Sequence, residues 1–412
     1  MSPADPLGGL GSQGGPAASG DHPPVESASP SSPSDPSSPD EPATSSQRAQ
    51  PHPARVGVTF QAHGTPTAFA LLFVLGAFFI AQCALGNWDT QDPLAIFRMG
   101  ALHWVAVLDG DIFRLGSYSF LHVGVAHFLL NAWALWILMR PIEAAFGSVG
   151  ALGIYAAAVL MGGGASMAWA IHEKNPFMLA AGASGGIFGL FGAQISLWLR
   201  LRTRLPPEAS KAAIRGLLLN LGLNVVISWQ AAANGISLDN SAHIGGICAG
   251  VLFGLLAPIG VLPRRFWSRP AQILLVLSTF TLASMEGAAL ARAVHPRPRF
   301  LQGDGVVAEA PWMLVPAVGG VAVSPGGIAM EARIKRLSEP LALDAGSEAL
   351  RIGDRTWVRA TSETEQGETI LTLTAQEGQG TLRIEVLCAS EVCRGGLAAD
   401  ASMQLARTIR LE

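Results

Sequence analysis

Large apolar side chains along this chain are gathered into blocks about as long as a membrane-crossing helix. The blocks run at roughly 68–86, 117–139, 149–171, 184–199, 212–231 and 242–262. An α-helix rises 1.5 Å per residue, so about 20 apolar residues cross a hydrocarbon layer of about 30 Å. Each block therefore predicts a transmembrane helix. A seventh block, 271–292, contains Glu286 and predicts a further helix, which either crosses the membrane or lies along it.

The ends of the chain have other patterns. The first 66 residues, as in SASPSSPSDPSSPDEP, hold almost no large apolar side chains and predict a disordered tail. After about residue 296, WVRATS, ETILTLTAQ and TLRIEVLCA alternate apolar and polar positions with the period of a strand. The expected division is a tail at 1–66, a six-helix core at 67–265, a seventh helix at 266–295 and a small β-rich soluble domain at 296–412. The expected fold class is an all-α polytopic membrane protein carrying that domain.

Composition supports this. Half of the 412 residues are hydrophobic and only 14% are charged, too few for the surface of a soluble protein of this size. The net charge of −3 gives no electrostatic case for nucleic acid. No cleavable signal peptide is expected, because the first apolar block follows a long polar stretch. Basic residues gather in the connections after the fourth block (Arg200, Arg202, Arg204, Lys211, Arg215) and after the sixth (Arg264, Arg265, Arg269). Arg140 lies on the same side of the alternating topology. The positive-inside rule makes that side cytoplasmic, together with the N-terminus. With seven spans the C-terminal domain lies outside, where LCASEVC predicts a Cys388–Cys393 disulfide.

Polar residues inside apolar spans are costly and point to function. In RLGSYSFLHVGVAHFLLN, His127 and Asn131 are four residues apart and share a helix face. Both can donate to an oxygen that gains negative charge; two interhelical polar contacts would explain them equally well. His122 is five residues before His127 and is turned away, which argues against a zinc site. In AAGASGGIFGLFGA, Ser184 opens a span beside Gly185, Gly189 and Ala193 at four-residue spacing. In LDNSAHIGGICAGVLFG, His243 opens another beside Gly246, Gly250 and Gly254. A serine in such a stripe is, alone, commoner in helix packing. Two stripes of small residues, however, let two helices approach closely, and His is the usual base for a hydroxyl nucleophile. Arg114 and Glu143 read as structural anchors, and Asp239 as a loop residue.

Taken together, FRLGSYSFLHVGVAHFLLN, PIEAAFGS, GASGGIFGLFGA and DNSAHIGGICAG resemble the rhomboid protease family in order and spacing, over roughly residues 113–254. The resemblance implies a six-helix core, often with a seventh helix, and a Ser184–His243 dyad. It implies an oxyanion site from His127, Asn131 and the Ser184 backbone, with Gly182 beside the nucleophile and Phe188 packed on the catalytic His. Arg114 and Glu143 match structural positions. Phe113 stands where relatives often have Trp.

The expected activity is hydrolysis of peptide bonds in transmembrane helices near the outer face of a bacterial inner membrane, without metal or organic cofactor. The expected partners are transmembrane protein substrates and the lipid bilayer. Binding of substrate or of a regulator is open to the C-terminal domain. An inactive rhomboid-like client-binding protein is the alternative. A transporter is disfavoured by the lack of an inverted repeat.

Overall fold

The computed structural model describes residues 65–411 apart from 234–237, 261, 264, 312, 318–320, 325–329, 339–347, 365–367, 379 and 390–395. Nearly all of the Pro- and Ser-rich tail, Arg264 and Cys393 lie outside the described residues. Helix α1 (Pro66–Leu85) begins with proline in its first turn, where the missing N–H has no intrahelical partner to lose. The connection after it holds α2 (Pro93–Arg98), α3 (Trp104–Leu108), α4 (Arg114–Ser117) and a 3-10 turn at Tyr118–Phe120. Helix α5 (Val125–Glu173) has two arms that meet at Gly147, whose φ of 73° and ψ of 167° no other residue type adopts readily. Helices α6 (Ser184–Leu201), α7 (Pro207–Ala233), α8 (Asn240–Leu256) and α9 (Ser268–Val294) follow.

The second apolar block is displaced from its expected place. Residues 117–139 read as one span, yet the helix starts only at Val125, after Gly124 with φ 87°. Tyr118, Phe120, Leu121 and His122 are buried in the preceding connection, so their composition imitates a span. The sixth block ends early, at Leu256. Ala257 precedes Pro258 and takes an extended conformation, which stops α8.

Among the described helices, α1, α5 and α9 are long and apolar enough to cross a membrane. Many large apolar side chains face outward, among them Phe73 at 77% and Leu219 at 72% exposure. In water such a surface would drive association; lipid makes it neutral. The inner faces are close-packed. A Cβ at Gly246 would overlap the Gly185 carbonyl, and one at Gly250 the Gly189 carbonyl, so the two small-residue stripes bring α6 and α8 into backbone contact. Tyr155 on the second arm of α5 is fully buried beneath Gly186. Helix α9 runs the height of the bundle. Leu275 packs on Gly153, Met285 and Leu282 on Gly116, and Ala289 on Gly100. Glu286 is buried on this inner face, which is why it interrupts the apolar block.

The region after α9 is β-rich. Strands β1 (Arg299–Gly303), β2 (Val306–Ala310) and β10 (Arg410–Leu411) pair in the order β1-β2-β10. Seven more strands are β3 (Val315–Ala317), β4 (Val321–Val323), β5 (Met330–Leu337), β6 (Glu348–Ile352), β7 (Arg355–Glu363), β8 (Glu368–Glu377) and β9 (Gly380–Ala389). They form an antiparallel sheet ordered β3-β4-β5-β9-β8-β7-β6. WVRATS lies in β7, ETILTLTAQ opens β8 and TLRIEVLCA lies in β9, so the alternation marks real strands. Ile334, Ile384 and Leu373 stand in register across three strands. They share a core with Trp357 and with Ala401 and Leu405 of α10 (Leu397–Thr408). Cys388 is disulfide-bonded, while Cys83 and Cys248 are free thiols.

Candidate active site

Ser184 is the first residue of α6, and His243 lies in the first turn of α8. The glycine stripes set the two helices close enough for these side chains to meet. Ser184 Oγ is 2.9 Å from His243 Nε2. Both residues are half-buried, so the pair is sheltered yet reachable. The His243 ring stacks on Phe188, one turn along α6 from Ser184, with centroids 4.1 Å apart and planes 17° apart.

The loop before Ser184 is held from below. Gly182 N–H donates to the Tyr118 carbonyl at 3.0 Å, and Gly182 takes φ +146°. A Cβ there would lie 2.9 Å from His127 Cε1 and 3.6 Å from Ser184 Oγ. His127 therefore faces the same small space as the serine hydroxyl. Asn131 is buried, and its Nδ2 donates to the His127 carbonyl at 3.1 Å, one turn back on α5. The N–H groups of Ser184, Gly185 and Gly186 have no carbonyl four residues earlier within the helix and can turn to an anion, whereas Ile187 N–H donates to Ala183 O at 3.1 Å. Ser184, His243, His127, Gly182 and Phe188 thus come from three helices and one loop to a single place, and Asn131 joins them through its bond to His127.

Of the other sequence-selected residues, His122 borders this place through His127. His122 precedes α5 instead of lying on it. Its backbone exchanges two hydrogen bonds with the Gln82 side chain, Nε2 donating to His122 O and Oε1 accepting from His122 N–H at 3.0 Å. Its ring packs edge-on against His127 and Phe128. Glu143 Oε1 accepts from Thr67 N–H at 3.0 Å, from Thr67 Oγ1 at 2.5 Å and from Ser148 Oγ at 2.6 Å. It ties the start of α1 to the elbow of α5. Arg114 is almost fully buried. It pairs with Asp111 at 3.1 Å and donates to the carbonyls of Phe97 and Ala101. Burial is possible because Nε meets a carboxylate, Nη1 meets two carbonyls, and the guanidinium lies over the Phe97 ring, 4.0 Å from its centroid.

Asp239 ends the loop that leads into α8. It is the N-cap of α8, accepting from Ala242 N–H at 3.0 Å and Ser241 Oγ at 2.6 Å, and it also accepts from Ser166 Oγ of α5. The helix that carries His243 is thereby pinned at its start. The sequence signal was an Asp three residues before Ala242, a common capping pattern. Tyr118 had no such signal: its hydroxyl donates to Val159 O at 3.0 Å and lies against Gly185 of α6, while its ring packs on Gly163 of α5. Among the described residues, no group of three or more His, Cys, Asp or Glu side chains stands together as a metal site would need.

Comparison with known proteins identifies residues 109–258 as a match to the rhomboid domain. The chain is 32% identical over 191 residues to Rhomboid protease GluP of Bacillus subtilis (strain 168), covering 46% of this chain and 34% of that protein. It is 31% identical over 159 residues to RHOMBOID-like protein 5 of Arabidopsis thaliana, covering 39% of this chain and 48% of that protein. It is 30% identical over 180 residues to Rhomboid-like protease 5 of Toxoplasma gondii, covering 42% of this chain and 20% of that protein. The aligned stretch thus spans less than half the length of each of these relatives.

Proposed function

This chain belongs to the rhomboid family and is an integral membrane protein, and we propose that it is an intramembrane serine endopeptidase using Ser184 and His243. The observation that carries the reading is the 2.9 Å contact between Ser184 Oγ and His243 Nε2. His243 takes the hydroxyl proton as Oγ attacks the scissile carbonyl. The oxyanion accepts from the Ser184 backbone N–H, His127 and Asn131. His243 then returns the proton to the leaving amine, and water hydrolyses the acyl-enzyme by the same steps reversed. Phe188 holds the imidazole by stacking, and Gly182 leaves room for His127 beside the reacting carbonyl.

The substrate class is the transmembrane helix of another membrane protein, cut near the outer face. A helix satisfies its own backbone groups, so its carbonyl is reachable only where Gly, Ala or Ser weakens it. Seven spans with a cytoplasmic N-terminus fit the geometry. Arg200 Nη1 donates to the Gly254 and Ala257 carbonyls at 2.7 Å each, so the basic end of α6 and the C-terminal end of α8 lie together at the face opposite the dyad. A crossing α9 agrees with its packing along the whole bundle. We place the chain in a bacterial inner (cell) membrane, with the region after α9 on the dyad side.

A fluorophosphonate probe tests the reading. Wild type should label, and Ser184→Ala and His243→Ala should not, while both variants stay in the membrane and lose cleavage. An unlabelled wild type, or Ser184→Ala cleaving near the wild-type rate, would overturn it in favour of an inactive client-binding protein.

A further inference from the structure

The β-rich region is docked on the connection between α1 and α5. Arg297 and Arg299, just after α9, pair with Asp109 and Asp111 of that connection. Arg297 contacts Asp109, Arg299 contacts Asp111, and Arg299 Nε is 3.1 Å from Asp109 Oδ2. Beside these pairs Val315 of β3 is fully buried in one apolar cluster with Phe97, Val105 and Ala106, joined by Trp104, Ala317 and Leu179. Charge and apolar contacts thus seat the region on α3.

The other side of α3 grips the loop that leads to the nucleophile. Leu102 and Ala180 exchange two backbone hydrogen bonds of 2.9 Å. His103 Nε2 donates to Pro176 O, and Trp104 Nε1 to Asn175 O, both at 2.7 Å. Leu179 lies in the same apolar cluster as Val315. Ala180 is four residues before Ser184. A continuous set of contacts therefore runs from β3 through α3 to the loop that sets the Ser184 hydroxyl.

We propose that the C-terminal β region is a positioning element of the active site, which clamps α3 and through it holds the 175–183 loop so that Ser184 meets His243. Its partner is thus the chain's own α1–α5 connection. The proposal rests on the protease reading for its effect on rate. Physically, the loop's hydrogen bonds to the α1–α5 connection run to Leu102, His103, Trp104 and Tyr118, and Leu179 and Ala181 pack beside Ile96, Met99, Ala101 and Leu121 of the same connection, so releasing α3 broadens the loop's positions. A shift of the nucleophile by a fraction of an ångström is enough to slow attack. Binding of substrate elsewhere is untouched, so the loss falls on kcat more than on KM.

The test uses the full chain in liposomes, with Asp109→Arg, Arg297→Asp and the two combined. Each single variant sets like charges against each other, and the combination restores the opposite pair at 109 and 297, with rescue partial because Arg299 still faces residue 109. Two readouts are needed: the rate of Ser184 labelling by a fluorophosphonate, and hydrogen exchange of residues 175–183. The expected result is labelling and kcat reduced roughly tenfold or more in each single variant, with KM nearly unchanged, faster loop exchange, and partial recovery of both in the combination. Wild-type labelling and exchange in the singles would overturn the proposal, as would slow singles that the combination does not rescue. If the wild type does not label, the protease reading has failed; the clamp is then judged by exchange alone. Rescue of loop protection would support the clamp, and unchanged exchange would overturn it.

Discussion

The Phe188 ring lies face to face with the His243 imidazole, 4.1 Å between centroids, on a helix neighbouring that of the histidine. This stacking fixes the plane of the imidazole while Ser184 occupies its Nε2 edge. An aromatic pair of this kind contributes about 0.5–1.5 kcal/mol beyond its buried area. Phe188→Ala should therefore lower turnover by roughly tenfold, and Phe188→Tyr should retain most of it. Steady-state cleavage of a fluorogenic transmembrane peptide measures both. A Phe188→Ala enzyme as fast as wild type would remove the positioning role.

Gly182 should tolerate no side chain. Its φ of +146° is strained for an L-residue, and a Cβ would press within 2.9 Å of the His127 ring. Gly182→Ala should cut turnover on the order of 100-fold with little change in thermal stability, because the strain sits on the reacting loop. Unchanged cleavage would show that neither the loop conformation nor the His127 placement matters.

His127→Ala and Asn131→Ala should each reduce turnover, by up to roughly 100- to 1,000-fold if each is a full oxyanion donor. Asn131 already gives one N–H to the His127 carbonyl, so its loss should also loosen His127. The combined variant is the decisive sample. Full activity in it would assign the oxyanion to backbone donors alone.

Glu143 Oε1 receives three hydrogen bonds, two of them from Thr67. Glu143→Ala should leave these donors unpartnered in an apolar setting, a loss of about 2–4 kcal/mol. The effect should appear as a lower unfolding temperature in detergent, with activity at low temperature retained. An unchanged melt would mean that α1 is held by apolar packing alone.

His103 gives a pH dependence of stability. Its Nε2–H donates to Pro176 O and its Nδ1 accepts from Ala106 N–H, so the neutral ring is the one that fits. Burial pushes its pKa down to about 3, from an ordinary value near 6.5. Between these values the unfolded chain binds more protons than the folded one. Stability from this residue is complete above about pH 6.5 and is lost as pH falls toward 3. The loss between pH 6.5 and 5 is about 2 kcal/mol. His103→Gln keeps a donor toward Pro176 O and should flatten this part of the stability profile. A variant and wild type that lose stability in parallel would refute it.

Much of this molecule follows from its sequence. Block lengths foretold most of the helices, because apolar runs and helix rise are both local properties. Alternation located β7, β8 and β9 for the same reason. The two small-residue stripes even identified which helices touch, since a missing Cβ on each side is what permits backbone contact between Gly246 and Gly185. Other features arise only when distant segments meet. Residues 117–124 run straight into an apolar helix, and only the Gln82 clamp on His122 and the turn at Gly124 reveal a buried connection. Asp239 was legible as a loop residue, but its contact with Ser166, far away in sequence, was not. The burial of Arg114 depends on carbonyls of Phe97 and Ala101 that its own segment does not contain. The seat of the β region on α3 was equally illegible, because pairs such as Arg299–Asp111 join residues whose separation in sequence carries no periodic signal. Local pattern sets which elements form, whereas the cost of unpaired charge and polar backbone in an apolar interior decides how they are joined.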